Sequence, residues 1–236
     1  MAGWPLGVFC VSTSRGDVAI TYDDGPHPVQ TNRILDVLSE FGAKATFFVM
    51  APLAAAHQEV VRRIVADGHE VGLHGETHRS LLSLTNREVI ASLRRSKEQV
   101  EDAAGVAVTL FRPPYGHHSL THGLAVRALG MRMILWSALA DDWIDVPAEV
   151  VASRAIEGLY PGSILLLHDN RADPETLQPG EFLPTFERSA VLRGILNHLQ
   201  TEGYRSVTVS ELTARHRPVK SVDRRFMDRR AAARTW

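Results

Sequence analysis

The chain of 236 residues has a single cysteine, Cys10, so no intrachain disulfide framework can staple it. It has no apolar run of about 18 residues, which excludes a conventional membrane-spanning helix. It has neither a Gly-x-Gly-x-x-Gly turn nor a Walker loop, which weakens any nucleotide-binding reading. A net basic charge is also missing. The total is −1, and the segment from Arg215 to the end carries eight Lys/Arg against two Asp/Glu, about +6, leaving the body at about −7. An acidic body argues against a nucleic-acid partner, whose footprint would be basic. The start, Met1 to Val11, is apolar but has no positive segment before it and no small-residue cleavage site after it, which points to a cytoplasmic protein if Met1 is the natural start.

What is present is an ordinary globular composition, 44% hydrophobic and 22% charged, with enough chain for one sizeable core. Short apolar runs alternate with amphipathic stretches. Strands are expected at Val8 to Ser12, Val18 to Tyr22, Ala45 to Met50, Glu70 to Leu73, Val108 to Phe111, Met131 to Ser137, Ser163 to Leu167 and Tyr204 to Val209. The first two read as a strand pair joined through Ser14 to Asp17. Helices are expected at Thr31 to Phe41, Gln58 to Ala66, Thr85 to Ala104, Ser119 to Leu129, Pro147 to Leu159, Thr185 to Thr201 and Ser210 to Arg215. Thr85-Asn86-Arg87-Glu88 fits a capping box. Arg171 to Phe182 reads as a polar loop, and weak or extended structure is expected from Arg217 onward. Strands alternating with helices mean parallel sheet, and about seven strands feed helices. The fold expected is a single-domain α/β protein, a distorted (β/α)7 TIM-like barrel. Its body would run over 17–215, after an N-terminal strand or extension at 1–16 and before a basic tail at 216–236.

In such a barrel the chemistry sits at the C-terminal ends of the strands. The polar residues that stand out fall there. Thr21-Tyr22-Asp23-Asp24-Gly25-Pro26 ends an apolar strand in a turn carrying two adjacent carboxylates. Like charges so close need a metal, an arginine or a shared proton; a solvated Asp-Asp-Gly turn is the ordinary alternative. His74 and His78, four apart, can face one metal, although a lone pair at this spacing is more often structural. Two histidines and one of the two aspartates leave open positions for water, which suits catalytic zinc, and the other aspartate is then free as a base. Arg112, before Pro113-Pro114-Tyr115-Gly116, is either a surface residue or one that pairs with and orients a carboxylate, and Asp142 is its expected partner, with Asp141 and Asp145 as near alternatives. Trp136 and Trp143 read as core residues or as the floor of a sugar groove. His168 ends the run Ile164 to Leu167, as a satisfied barrel-mouth residue or a general acid.

Taken together, these stretches resemble the polysaccharide deacetylase family, the NodB-homology domain or carbohydrate esterase family 4. Five motifs match in order: Thr21 to Pro26, His74-x-x-x-His78, Arg112 to Gly116, Asp142-Trp143 and Leu166-x-His168. The resemblance implies a zinc-dependent amide hydrolase, with cobalt or another divalent ion tolerated, acting on an N-acetylated carbohydrate. Asp24, His74 and His78 would hold the metal. Asp23 would be the general base, His168 would protonate the leaving amine, and the Tyr115 backbone N–H would stabilise the oxyanion. Arg112 and Asp142 would orient Asp23. Leu166 and a tryptophan would pocket the acetyl methyl, with Trp136, Trp143 and Pro114 at the substrate. Three positions depart from the family pattern: Gly75 stands where a small hydroxyl residue is usual, Leu139 where an aspartate is frequent, and Leu73 where an asparagine is frequent. O-deacetylation of xylan is a close variant. A metal-free carbohydrate-binding pseudoenzyme is the alternative from another class.

Overall fold

The structure, a computed structural model, describes residues 7–171 and 183–221. Its central strand is β2 (Asp17–Asp23), buried along its whole length. A strand covered on both faces belongs to a parallel sheet. β3 (Ala45–Met50) and β8 (Ile164–His168) flank it, both parallel. The sheet continues from β3 through β4 (Glu70–Gly75), β5 (Leu110–Phe111) and β6 (Arg132–Met133), and from β8 to β7 (Ala138–Leu139). A short β9 (Arg205–Ser206) pairs with the start of β2.

The two ends of this sheet, β6 and β7, are consecutive in the chain, and residues 134–137 carry the chain from one to the other. The Ile134 N–H donates to the Phe111 carbonyl at 2.9 Å, the Leu135 N–H to the Val8 carbonyl at 2.8 Å, and the Ser137 N–H to the Ile164 carbonyl at 3.0 Å. The sheet therefore curls into the distorted barrel expected. The single strand expected at 131–137 is broken instead, because the segment must leave β5 and swing over to β8.

Helices cover the outside: α1 (Gln30–Glu40), α2 (Ala51–Ala56), α3 (Gln58–Ala66), α4 (Asn86–Ala104), α5 (Leu120–Ala128), α6 (Ala148–Gly158), α7 (Arg188–Thr201) and α8 (Val209–Arg215). The two-residue alternation of β2 sorts its side chains. Val18, Ile20 and Tyr22 join the large outer core with Ile34, Leu38 and Phe47, whereas Ala19 belongs to a smaller cluster with Phe48, Leu110, Ile134 and Ile164. Val8, Val11, Val207, Val209 and Leu212 complete that smaller cluster and plug the barrel floor. Above the plug, the inward positions of β2 turn polar, at Thr21 and Asp23.

One pairing differs from expectation. β1 (Gly7–Ser12) does not pair with β2, both of whose edges are taken by β3 and β8. It pairs antiparallel with β10 (Arg217–Ser221), which forms where weak structure was expected. Of the expected polar loop at 171–182, residues 172–182 lie outside the described residues.

Candidate active site

Most residues at the cavity are delivered by strand ends or by the loops that follow them. β2 ends in Asp23, and the next residue, Asp24, takes φ 73°. That is the left-handed region, unfavourable for a residue with a side chain. It separates the two adjacent carboxylates, which take different partners. Asp23 Oδ1 accepts from Arg112 Nη1 at 2.8 Å. Arg112 is fully buried, donates also to Thr21 Oγ1 at 2.7 Å and to the Leu135 carbonyl at 2.9 Å, and packs over the Phe48 ring at 4.2 Å.

Asp24 turns to the histidines. Its Oδ1 lies 3.3 Å from His74 Nε2 and 3.4 Å from His78 Nε2. His74 Nδ1 meets the Arg112 carbonyl at 2.9 Å. A carbonyl only accepts, so Nδ1 carries the proton and neutral His74 aims a lone pair, on Nε2, at the carboxylate. Asp24 Oδ1 is buried with no hydrogen-bond partner. One donor atom from each of Asp24, His74 and His78 lies within 4.8 Å of the others. Lone pairs converging in a buried pocket call for a cation between them, so the set fits a divalent metal such as zinc. Burial lowers the His74 pKa, but Asp23 and Asp24 outweigh it and raise the value, so a proton competes for the same place. Burial raises the Asp24 pKa, yet His74, His168 and His78 hold it well below the usual carboxylate range.

Across the cavity, His168 Nδ1 meets Asp142 Oδ1 at 2.7 Å, and the His168 backbone N–H donates to Asp142 Oδ2 at 2.7 Å. Burial opposes charge on His168, but Asp142, then Asp24 and Asp23, push its pKa up to about 9. The expected pairing of Asp142 with Arg112, and its expected role in orienting Asp23, are therefore corrected. Asp142 follows β7, beside the end of β8, while Arg112 follows β5 on the far side of β2 and reaches across the interior to Asp23.

The cavity enclosed by these groups has a volume of about 370 Å³. Asp23, Asp24, His74, His78, Asp142 and His168 line it, with Tyr115, Trp136, Trp143 and Leu166. Trp143, 43% exposed, stands edge-on to His168 with ring centroids 5.9 Å apart. Pro114 was expected at the substrate; it is buried and does not line the cavity, lying instead beneath Gly75. Leu139, one of the departures, adds apolar wall.

Sequence reasoning gave no role to Arg188 or Asp169. Arg188 Nη1 donates to the His168 carbonyl at 2.6 Å and to Asp142 Oδ2 at 3.2 Å. It starts α7, and only the tertiary fold brings it against the His168–Asp142 pair at the wall of the cavity. Asp169 is buried next to His168, and burial pushes its pKa up to about 7. A charge directly after the motif histidine in an apolar strand was the available signal.

A family model described as Polysaccharide deacetylase matches residues 11–134, more than half of the chain. The chain belongs to the polysaccharide deacetylase family. The match spans the Asp23–Asp24 turn, both histidines, Arg112 and Tyr115. The chain is 31% identical over 195 residues to peptidoglycan-N-acetylglucosamine deacetylase PgdA of Listeria monocytogenes, covering 83% of this chain and 38% of PgdA. The chain thus spans about two fifths of the length of the first curated relatives it matches. It is 30% identical over 195 residues to a chitooligosaccharide deacetylase of Azorhizobium caulinodans, covering 82% of this chain and 93% of that one. In fold it matches a CE4 family pseudoenzyme from Bacillus anthracis with a TM-score of 0.77 at 23% identity, over 88% of this chain and 69% of that one. This polysaccharide deacetylase family member thus shares its barrel with a protein described as a pseudoenzyme, and the donor set is what bears on activity.

Proposed function

We propose that the protein is a metal-dependent N-deacetylase that hydrolyses the acetamide of an N-acetyl-amino sugar unit to free amine and acetate. The observation that carries this reading is the buried Asp24 Oδ1, which has no hydrogen-bond partner and faces Nε2 of both His74 and His78. When bound there, a divalent ion, with zinc the first choice, supplies Lewis acidity and makes water a competent nucleophile at neutral pH. Asp23 is held through Oδ1 by Arg112, and its Oδ2, 3.8 Å from His74 Nε2, is placed to take the proton of the attacking water. His168, oriented and kept protonated by Asp142, delivers a proton to the departing nitrogen. The Tyr115 backbone N–H is assigned to the oxyanion. Leu166 and Trp136 bound the side of the cavity that suits a methyl group, and Trp143 stands where a sugar face can stack.

The names of the relatives support a glycan carrying N-acetylglucosamine units as the substrate. The cavity falls within the range usual for small-ligand sites, about 300–1,000 Å³, and its size suits one sugar unit.

The test is acetate release from chitin oligomers, peptidoglycan fragments, acetylated xylan and free N-acetylglucosamine, with bound zinc quantified on the same sample. Chelator-sensitive release with near-stoichiometric zinc is expected, with acetylated xylan the poorer substrate. Asp23→Asn should keep zinc and lose turnover by about 10²–10⁴-fold. A fully active Asp23→Asn protein would show that the base is misassigned. A protein that takes up no zinc and releases no acetate is the binding-module outcome.

A further inference from the structure

We infer that Asp169 is a positioning residue, a clamp that fixes the Asp23–Asp24 turn in the arrangement that receives a metal. The inference rests on the deacetylase reading and adds a residue to that site. Asp169 directly follows His168 but does not line the cavity; it lies on the other side of the strand end and is 1% exposed. Three contacts converge there, from Thr31, Asp23 and Gly25, and two more tie Thr31 to His27. Thr31 Oγ1, itself fully buried, donates to Asp169 Oδ2. The same hydroxyl accepts the His27 N–H at 2.8 Å, and the Thr31 N–H returns to the His27 carbonyl at 3.1 Å. The Asp169 N–H donates to the Asp23 carbonyl at 3.3 Å. Gly25 packs so closely that a Cβ there would lie 2.6 Å from the Asp169 carboxyl carbon.

The turn is thus pinned on both sides of Asp24: at Asp23 by the Asp169 backbone, and at Gly25 and Thr31 by its side chain, with Thr31 in turn bonded to His27. Gly25 is fastened further by the Met50 N–H, which donates to its carbonyl at 2.8 Å. Between these points Asp24 has to hold φ 73°, a conformation that an unrestrained aspartate would leave. Without the clamp, Asp24 Oδ1 would lose its fixed place opposite the two imidazoles. Groups that orient ligands from behind are commonly worth about 10–100-fold in metal affinity.

The experiment measures zinc affinity by chelator competition for the wild type, D169A, D169N and T31V. It needs no substrate. D169A is expected to bind zinc about 10–100-fold more weakly. D169N, whose carboxamide oxygen still accepts from Thr31, should recover most of that loss; a merely space-filling role is told apart by T31V, which keeps the volume of Thr31 and removes only its hydroxyl donor. T31V, which removes the donor without touching Asp169, should weaken zinc in the same direction and carries the test if D169A does not fold. Wild-type affinity in D169A, or in T31V should D169A fail to fold, overturns the clamp and leaves the deacetylase reading standing. D169N as impaired as D169A also overturns it. A wild-type protein that binds no zinc overturns both.

Discussion

Adjacent aspartates are a liability that this site resolves by assigning each a different partner. Asp23 receives a permanent cation, Arg112, and Asp24 receives two imidazoles. Among the described residues, the non-glycine residues at positive φ are Asp24, Tyr115 and Asp141, each at the cavity or next to a residue that lines it. Backbone strain of this kind costs about 1–3 kcal/mol per residue and persists only where its surroundings impose it. Removing the buried guanidinium, as in Arg112→Met, leaves Asp23 without its counter-charge. Denaturant unfolding should show a loss of about 3–5 kcal/mol. The His168–Asp142 pair makes a prediction with a definite sign. Because the folded pKa of His168 is raised to about 9, its protonation stabilises the folded, metal-free protein fully below about pH 6.5, the ordinary histidine value, and that contribution fades as pH climbs through about 9. Asp142→Asn should flatten this decline when unfolding free energy is followed across pH. With zinc bound, on the deacetylase reading, it should move the alkaline limb of kcat to lower pH, because the proposed proton donor would deprotonate sooner. An unchanged limb would remove His168 from the role of acid.

Elements whose boundaries depend on nearby residues were legible in the sequence. The capping box at α4 is formed: Thr85 Oγ1 accepts the Glu88 N–H at 3.3 Å, and Glu88 Oε2 accepts the Thr85 N–H at 2.7 Å. Thr85→Ala should cost about 1 kcal/mol, read as a lower Tm with kcat unchanged, since the cap is on the outer layer. The strand ends bearing Asp23, His74, Arg112 and His168 were legible for the same reason, because an apolar run that stops at a polar residue marks a barrel mouth. What escaped depends on partners distant in sequence. β1 looked like the hairpin mate of β2 because the two are neighbours in the chain, but its partner β10 lies near the other end of the described chain. The run at 131–137 has the composition of one strand, and only barrel closure explains its break between β6 and β7. Asp142 is a single carboxylate among three nearby, and no local rule says that it faces His168 rather than Arg112. Arg188 carries no motif. α2, an alanine-rich turn with proline at its start, has too little periodicity to register.

At the scale of the molecule, polarity is stacked along the barrel axis. The floor is apolar, plugged by Val8, Val11, Val209 and Leu212, and the mouth gathers Asp23, Asp24, Asp142, His74, His78 and His168. The carboxylates at that mouth raise the pKa of His74 and of His168. Metal and protons therefore compete for one place, and stability, metal content and pH become a single linked quantity. Zinc at about a hundred times its dissociation constant should raise the unfolding free energy by about 2.7 kcal/mol. That gain requires His74 and His78 to be neutral and Asp24 ionised. Since Asp24 holds its charge to well below the usual carboxylate range, His74, whose pKa is raised, sets the acid limit. The zinc-induced rise in Tm should be largest at alkaline pH and shrink as the solution is acidified through the raised pKa of His74. The zinc-free protein should move the other way over the same range, gaining from its protonated His168. Thermal unfolding with zinc and with chelator, across pH, should give two curves that converge on the acid side. His78→Ala should collapse them onto one another at every pH, and curves that stayed apart in that variant would place the bound metal elsewhere on the protein.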